Sequence, residues 1–298
     1  MRRFVEHHFH LILIFACLAG LFLPGLDRLP SRTAMAMLMA LMFVSCYRLR
    51  ESNFASISWP SVLRFYLLRF VALPAALWLA VHWLAPRYAT AVFLLAQVPS
   101  GVASPAFAAI FGGAVAPAFA IVIVSEFAAP FLIPLQFSWE SSVAVAPAPL
   151  ALFITMVWCI FVPMLVWAVV RHHRKSADYF HAQGKFFSIL LVAFIIALAI
   201  AKQRSIILGN LPGLIEPLVI VLCCFAGFVA FGWLLGHGRP RPERIAYAAC
   251  SGFNNAALGV SLALLHFGPD VILFTAVSEI GWALLPLMLR TFLRFFPR

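Results

Sequence analysis

Two short stretches decide how this chain is read: VPSGVASP (Val98–Pro105) and CSGFNN (Cys250–Asn255). Each interrupts an apolar run with residues that a continuous helix tolerates badly. Pro99, Gly101 and Pro105 break the first; Ser251, Gly252, Asn254 and Asn255 break the second. Backbone groups freed by such breaks cannot face lipid, so they must be buried against each other, against water or against a ligand. Two broken segments in corresponding positions point to a binding site near the membrane midplane. A structural kink between tightly packed helices is the plainer alternative, because small residues let backbones approach.

The lipid setting follows from composition. The chain has 298 residues, is 64% hydrophobic and only 10% charged, and its mean hydropathy is +1.02. A soluble domain carries roughly 25% charged residues. So much apolar surface cannot be hidden in a soluble core of this size, and the chain reads as an all-α polytopic membrane protein. The formal net charge of +11 does not indicate a nucleic-acid partner, because the charges are spread over short loops between apolar segments. The six cysteines show no metal-ligand spacing and read as small hydrophobes. The first apolar segment has a basic flank but no small-x-small cleavage pattern, and reads as a retained helix.

About ten membrane segments can be drawn on the criterion of roughly 20 apolar residues per crossing. They lie near Phe9–Pro24, Thr33–Tyr47, Ser61–Leu84, Thr90–Phe111, Ala114–Phe137, Leu150–Val170, Phe186–Ala201, Pro212–Leu235, Ile245–Phe267 and Val271–Phe292. A polar stretch, SWESSVAVAPAP, separates two halves at about residues 1–137 and 150–298, and the basic stretch RHHRKSADYFHAQGK reads as a loop. Arg2, Arg3, Arg48, Arg50, Arg171, Arg174, Lys175, Lys185 and the basic residues after Gly238 fall on one side. Arg64 and Arg69 lie nearest that side too. Fewer basic residues fall on the other, which predicts both termini in the cytoplasm. The cluster His172, His173 and His181, beside Arg171, Arg174 and Lys175, reads as a basic loop facing lipid headgroups.

The tripeptide Val-Ser-Glu occurs twice, at Val124–Glu126 and Val277–Glu279, both inside apolar runs. Before each stands a broken segment that begins Ser-Gly and later turns at Phe-Gly; after each comes a proline, Pro134 or Pro286. The order Ser-Gly, Phe-Gly, Val-Ser-Glu, Pro therefore recurs about half a chain apart. With about five helices per half, the two copies are oppositely oriented, an inverted-topology repeat within a single transmembrane domain over residues 1–298.

At these residues the chain resembles the bile acid:sodium symporter family. The family's fourth helix carries a pattern like Pro-Gly-Gly-x-x-Ser-Asn, where this chain has Pro99-Ser100-Gly101-Val102-Ala103-Ser104-Pro105. Its ninth carries Glu-x-Gly-x-Gln-Asn-x-x-Leu, where this chain has Cys250 through Leu258. The resemblance implies ten transmembrane helices, two inverted repeats of five, and broken fourth and ninth helices that cross in a core domain beside a panel-like domain. It also implies ion-coupled transport of a small organic anion by alternating access, with substrate bound between the domains. The departures fall on the chemistry. Cys250 and Pro105 stand where the family has sodium ligands, and Ala118 and Val122 stand where hydroxyl ligands are expected.

Glu126 and Glu279 are instead the intramembrane carboxylates of this chain, functional candidates by default. They are expected to carry or gate protons in place of sodium, with a sodium site as the alternative; Cys250 marks the position of the missing ligand. Neutral interhelical hydrogen bonding, or pairing with Arg64 or Arg69, is the structural alternative. The substrate-binding candidates are Ser100, Gly101, Ser104, Pro105, Ser251, Asn254, Asn255 and Glu279; half-helix N-termini near Pro105 and Asn255 favour an anion. Gln97 is a further candidate. The expected protein is an inner-membrane secondary transporter without cofactor, metal, catalytic constellation, nucleic-acid partner or obligate protein partner. A membrane sensor or scaffold that kept the fold and lost transport is the rival.

Overall fold

The structure, a computed structural model, describes residues 9–46, 57–138, 148–170, 174–209 and 211–296. The described residues form the helices α1 (Phe9–Phe22), α2 (Arg32–Cys46), α3 (Trp59–Leu84), α4 (Ala89–Gln97), α5 (Ser104–Ile110), α6 (Val115–Ser138), α7 (Pro149–Val170), α8 (Arg174–Lys202), α9 (Arg204–Gly209), α10 (Ile215–Leu235), α11 (Arg241–Gly252), α12 (Ala256–His266) and α13 (Pro269–Arg294). Each apolar segment read from the sequence is mainly helical over its described residues. The fourth is divided into α4 and α5, and the ninth into α11 and α12.

Among the described residues five helices are long and apolar enough to cross a membrane: Trp59–Leu84, Val115–Ser138, Pro149–Val170, Pro212–Leu235 and Pro269–Arg294. Arg32–Val44, Phe186–Lys202 and Ala256–His266 are apolar but shorter. Large side chains such as Trp83, Leu84, Ile110 and Val169 are more than 70% exposed, an arrangement suited to lipid rather than to water. The chain is a multi-pass membrane protein.

Two compact units are each assembled from both halves of the sequence. One comprises Met1–Glu51, Ile133–Pro212 and Ala257–Ala276; the other comprises Ser52–Leu132, Gly213–Ala256 and Val277–Arg298.

In the first unit, α8 packs along α1 and α2, and α2 packs on α7. The α1–α8 approach requires Gly20, where a Cβ would lie 2.6 Å from the Ala197 carbonyl. The sequence predicts a loop before the seventh segment, but the chain is already helical from Arg174. The reason is packing: Phe180 meets Phe43 of α2 edge-on with ring centroids 5.0 Å apart, and Gly184 lies against Val44. Helical backbone bonding there is stabilised by a tertiary face that the local polarity of the stretch conceals. His266 Nε2 lies 2.8 Å from Thr155 Oγ1. Arg2, Arg3, Arg48, Arg50, Arg171, His172, His173 and most of the polar stretch between the halves, 139–147, lie outside the described residues. Nothing in the structure bears on the side chains of Arg174, Lys175, His181 and Lys185.

The second unit holds α3, α4, α5, α10, α11 and the adjoining parts of α6 and α13. Gly232 of α10 sits against the backbone of α11 at Tyr247 and Ala248, where any side chain would collide. Near its middle α3 widens into a π turn, Leu68–Ala72, closed by Leu73 N–H donating to the Leu68 carbonyl. Pro74 explains the widening. Its ring would clash with the Phe70 carbonyl four residues back and it offers no N–H to the ladder. The turn directs Arg69 inward. Arg69, counted above among the flank charges, is fully buried.

Candidate functional site

α4 runs to Gln97, just before the break at Pro99, and α11 ends at Gly252, leaving two unwound segments inside one unit. They satisfy one another. Ser100 and Asn254 form an isolated antiparallel bridge. Gly101 N–H donates to the Phe253 carbonyl at 2.8 Å, and Asn255 N–H donates to the Pro99 carbonyl at 2.7 Å. These backbone groups, freed by helix breaking, are thus paired with one another, as burial requires.

The serines fasten this pairing. Ser100 Oγ donates to the Cys250 carbonyl at 2.6 Å, and Ser104 Oγ donates to the Phe253 carbonyl at 2.6 Å. Ser251 Oγ donates to the Phe228 carbonyl at 2.5 Å. Ser125, the middle residue of the first Val-Ser-Glu, accepts from Ser100 N–H at 3.2 Å. Cys250 Sγ lies 3.6 Å from the Ala118 carbonyl, so a thiol faces the start of α6. Pro105 is buried in the first turn of α5. The Phe107 and Phe253 rings stack 4.0 Å apart, and Trp282 meets both edge-on at 6.1 Å while its indole N–H donates to the Asn254 carbonyl at 3.1 Å.

The two glutamates differ. Glu126 is buried and its Oε1 accepts from Asn255 Nδ2 at 2.7 Å. The first half's carboxyl therefore touches the second half's unwound segment. Glu279 is 3% exposed, and neither of its carboxyl oxygens has a hydrogen-bond partner among the described residues. It stands one turn before Trp282, on the same face of α13. Neither glutamate pairs with Arg64 or Arg69: Arg64 is exposed, and the hydrogen bonds of Arg69 go to carbonyls or to Ser251.

Other unpartnered polar atoms gather here. Both amide atoms of Gln97, Asn254 Oδ1 and Glu126 Oε2 are buried without a partner among the described residues. Buried polar groups are nearly always hydrogen-bonded, so each of these needs an explanation. Gln97 precedes the first unwound segment by one residue, Asn254 is in the second, and Glu126 is bonded to it. Asn254 Nδ2 donates to the Leu95 carbonyl at 3.2 Å, while its Oδ1 has no partner among the described residues. Among the described residues no cluster of His, Cys, Asp and Glu has the makings of a metal site.

Sequence reasoning missed Arg69 and Trp282. An arginine in the apolar run FYLLRFVAL was the available signal for the first. For Trp282 the signal was its position one turn after Glu279.

Residues 35–210, more than half of the chain, match the Sodium Bile acid symporter family. The chain belongs to this family. Two relatives are a probable sodium/metabolite cotransporter of the chloroplast from Oryza sativa subsp. japonica and an uncharacterized sodium-dependent transporter from Bacillus subtilis. The first is 28% identical over 65% of this chain and 48% of its own length. The second is 24% identical over 68% of this chain and 64% of its own length. The chain thus spans about half to two thirds of the relatives it matches. The family match includes Arg69, α4, α5 and Glu126. Asn254, Asn255 and Glu279 lie beyond residue 210 and are joined to it by the hydrogen bonds above.

Proposed function

We propose that this protein is a secondary transporter of a small organic anion, working by alternating access and coupled to protons through Glu126 and Glu279. In this reading the chain has ten spans in two inverted repeats of five, forming a single transmembrane domain. It lies in the cytoplasmic membrane with both termini inside. Asn254, Asn255, Glu279 and the backbone around Gly101 contact the substrate, and the N-terminal turn of α12 favours its negative charge. Ser100 and Ser104 shape the site chiefly by holding the unwound segments together, Ser251 by tying the end of α11 to α10, and Pro105 by opening α5; Cys250 fills the place of the family's carboxylate ligand.

One observation carries the reading. The fourth and ninth segments break and pair through their unwound backbones; a buried carboxyl, Glu126, bonds to one of them, and a second, Glu279, lies buried without a partner among the described residues one turn from Trp282, which also bonds to it. A structural kink would need the paired backbones but not the carboxyls. An intramembrane carboxyl that can gain or lose a proton next to a substrate site is the means by which a proton gradient drives a carrier.

The test uses purified protein in liposomes, a panel of small organic anions, and proton or sodium gradients imposed separately. Uptake is expected to follow the proton gradient alone. In Glu126→Gln and in Glu279→Gln, proton-driven uptake is expected to fall to background while substrate exchange at equal pH persists, since Gln keeps the shape and loses the proton. Uptake that requires sodium and survives both substitutions would sink the reading. Absence of both uptake and exchange across the panel, with no anion-induced thermal shift, would favour a sensor or scaffold.

A further inference from the structure

The proton-coupling reading uses two carboxyls and leaves one buried ionic group without a role. Arg69 is fully buried and has no carboxylate partner among the described residues. A buried charge without a counter-ion is costly, so what compensates it matters.

Its partners are the ends of the two broken helices. Nη1 donates to the Ala96 carbonyl at 2.7 Å, one residue before the end of α4. Nη2 and Nε donate to the Ser251 carbonyl at 2.9 and 3.1 Å, one residue before the end of α11, and Nε also reaches Ser251 Oγ at 2.8 Å. The Phe228 ring covers the guanidinium at 4.1 Å. Both carbonyls are orphans by construction. In a continuous helix Ala96 would accept from Ser100 N–H, but that group donates to Ser125. Ser251 would accept from Asn255 N–H, but that group donates to Pro99. Unwinding has thus created two acceptors at the negative ends of two helix dipoles, and one guanidinium closes both.

Carbonyls at half-helix C-termini and unwound segments are where secondary transporters ligate coupling cations. We propose that Arg69 is a resident cation: its guanidinium permanently occupies, from within the chain, the cation position of the paired broken helices. Sodium, a hard cation, needs several free oxygens at once. Here the Ala96 carbonyl, the Ser251 carbonyl and Ser251 Oγ are all directed at guanidinium nitrogens, so these residues do not fit a sodium ion. An arginine keeps its proton, so the charge stays in place through every step of a cycle. The inference rests on the transport reading for its meaning. It accounts for a member of a sodium-symporter family that has Cys250 where the resemblance places a carboxylate ligand.

The test is thermal, so it does not depend on finding a transported substrate. Detergent-purified protein is melted in sodium chloride and in choline chloride at equal ionic strength. The wild type is expected to melt at the same temperature in both. Arg69→Ala is expected to melt lower, and low guanidinium chloride, with urea at the same concentration as the control, is expected to restore about 2–4 °C. A sodium-specific rise in the wild type overturns the proposal. So does an Arg69→Ala protein as stable as wild type, or one that guanidinium does not restore. If Arg69→Ala does not accumulate, Arg69→Lys decides: it keeps a tethered cation and is expected to be sodium-insensitive, and a sodium-specific rise there overturns the proposal. A sodium-insensitive, guanidinium-rescued protein that moves no anion in liposomes would sink the transport reading and leave the resident cation standing.

Discussion

Glu279→Met is expected to raise the thermal stability of the purified protein while abolishing proton-driven uptake, and Glu126→Met is expected to lower both. The two residues occupy the same place in a repeated tripeptide, so similar effects would be the naive expectation. Their partners separate them. Both oxygens of Glu279 are buried without a hydrogen bond among the described residues, a situation that costs about 1–3 kcal/mol. Methionine fills nearly the same volume, is unbranched, and removes the unsatisfied groups. Glu126 accepts from Asn255 at 2.7 Å, and Met would remove that acceptor at a similar cost. A stabilising substitution that destroys activity marks a residue retained for function. Melting curves on both variants, with uptake in liposomes, check the pair. A fall in stability for Glu279→Met would show that its carboxyl is satisfied in the folded protein. Surviving proton-driven uptake would remove Glu279 from the coupling path.

The break in each crossing segment was legible because it is local chemistry. Pro99, Gly101, Pro105 and Gly252 disrupt helical backbone bonding whatever surrounds them: the structure is unwound at Pro99 and Gly101, Pro105 stands in the first turn of the restarted helix α5, and α11 ends at Gly252. What the unwound backbone then bonds to is not local. Ser100 and Ser104 read from the sequence as hydroxyls free to face a substrate. In the structure each donates to a carbonyl some 150 residues away, as the separations of 150 and 149 show. Arg69 misled for the same reason. By position it reads as a charge near a helix end, whereas its guanidinium is directed inward by a π turn that depends on Pro74 and is held by two helix ends distant in sequence. The start of α8 was hidden differently. The stretch around Tyr179 and Phe180 is polar enough to suggest a loop, and its helicity depends on Phe43, which no window on that stretch contains. Periodicity and helix breakers are written along the chain; hydrogen-bond partners across it are not.

Gly101→Ala is expected to be far more damaging than the same change at Gly252 or Gly227, and the comparison with these two glycines makes the prediction sharp. A Cβ at residue 101 would lie 2.8 Å from the Asn254 carbonyl oxygen, 3.1 Å from its carbon and 3.3 Å from the Phe253 oxygen. All three are backbone atoms in the opposite unwound segment, so no rotamer change relieves the contact. The segments must separate, and with them go the Gly101–Phe253 and Asn255–Pro99 hydrogen bonds. Overpacking costs about 1–3 kcal/mol and each lost hydrogen bond about 0.5–1.5 kcal/mol more. At Gly252 the nearest atoms are the tips of Val229 and Leu285 side chains, at 2.8 and 3.3 Å, which can shift. Gly227 has nothing within 4 Å, and alanine there is expected to be neutral or to stabilise α10 by about 0.5–1 kcal/mol through helix propensity. Melting temperatures should therefore rank Gly227→Ala above Gly252→Ala above Gly101→Ala, with uptake lost in the last. Since the Gly101 variant leaves every carboxyl, the Arg69 guanidinium and all cross-linking hydroxyls chemically intact, its failure would locate the activity in the geometry of the paired backbones. If Gly101→Ala proves as stable and active as Gly227→Ala, the close antiparallel pairing is not required, and the site must be built from side chains alone.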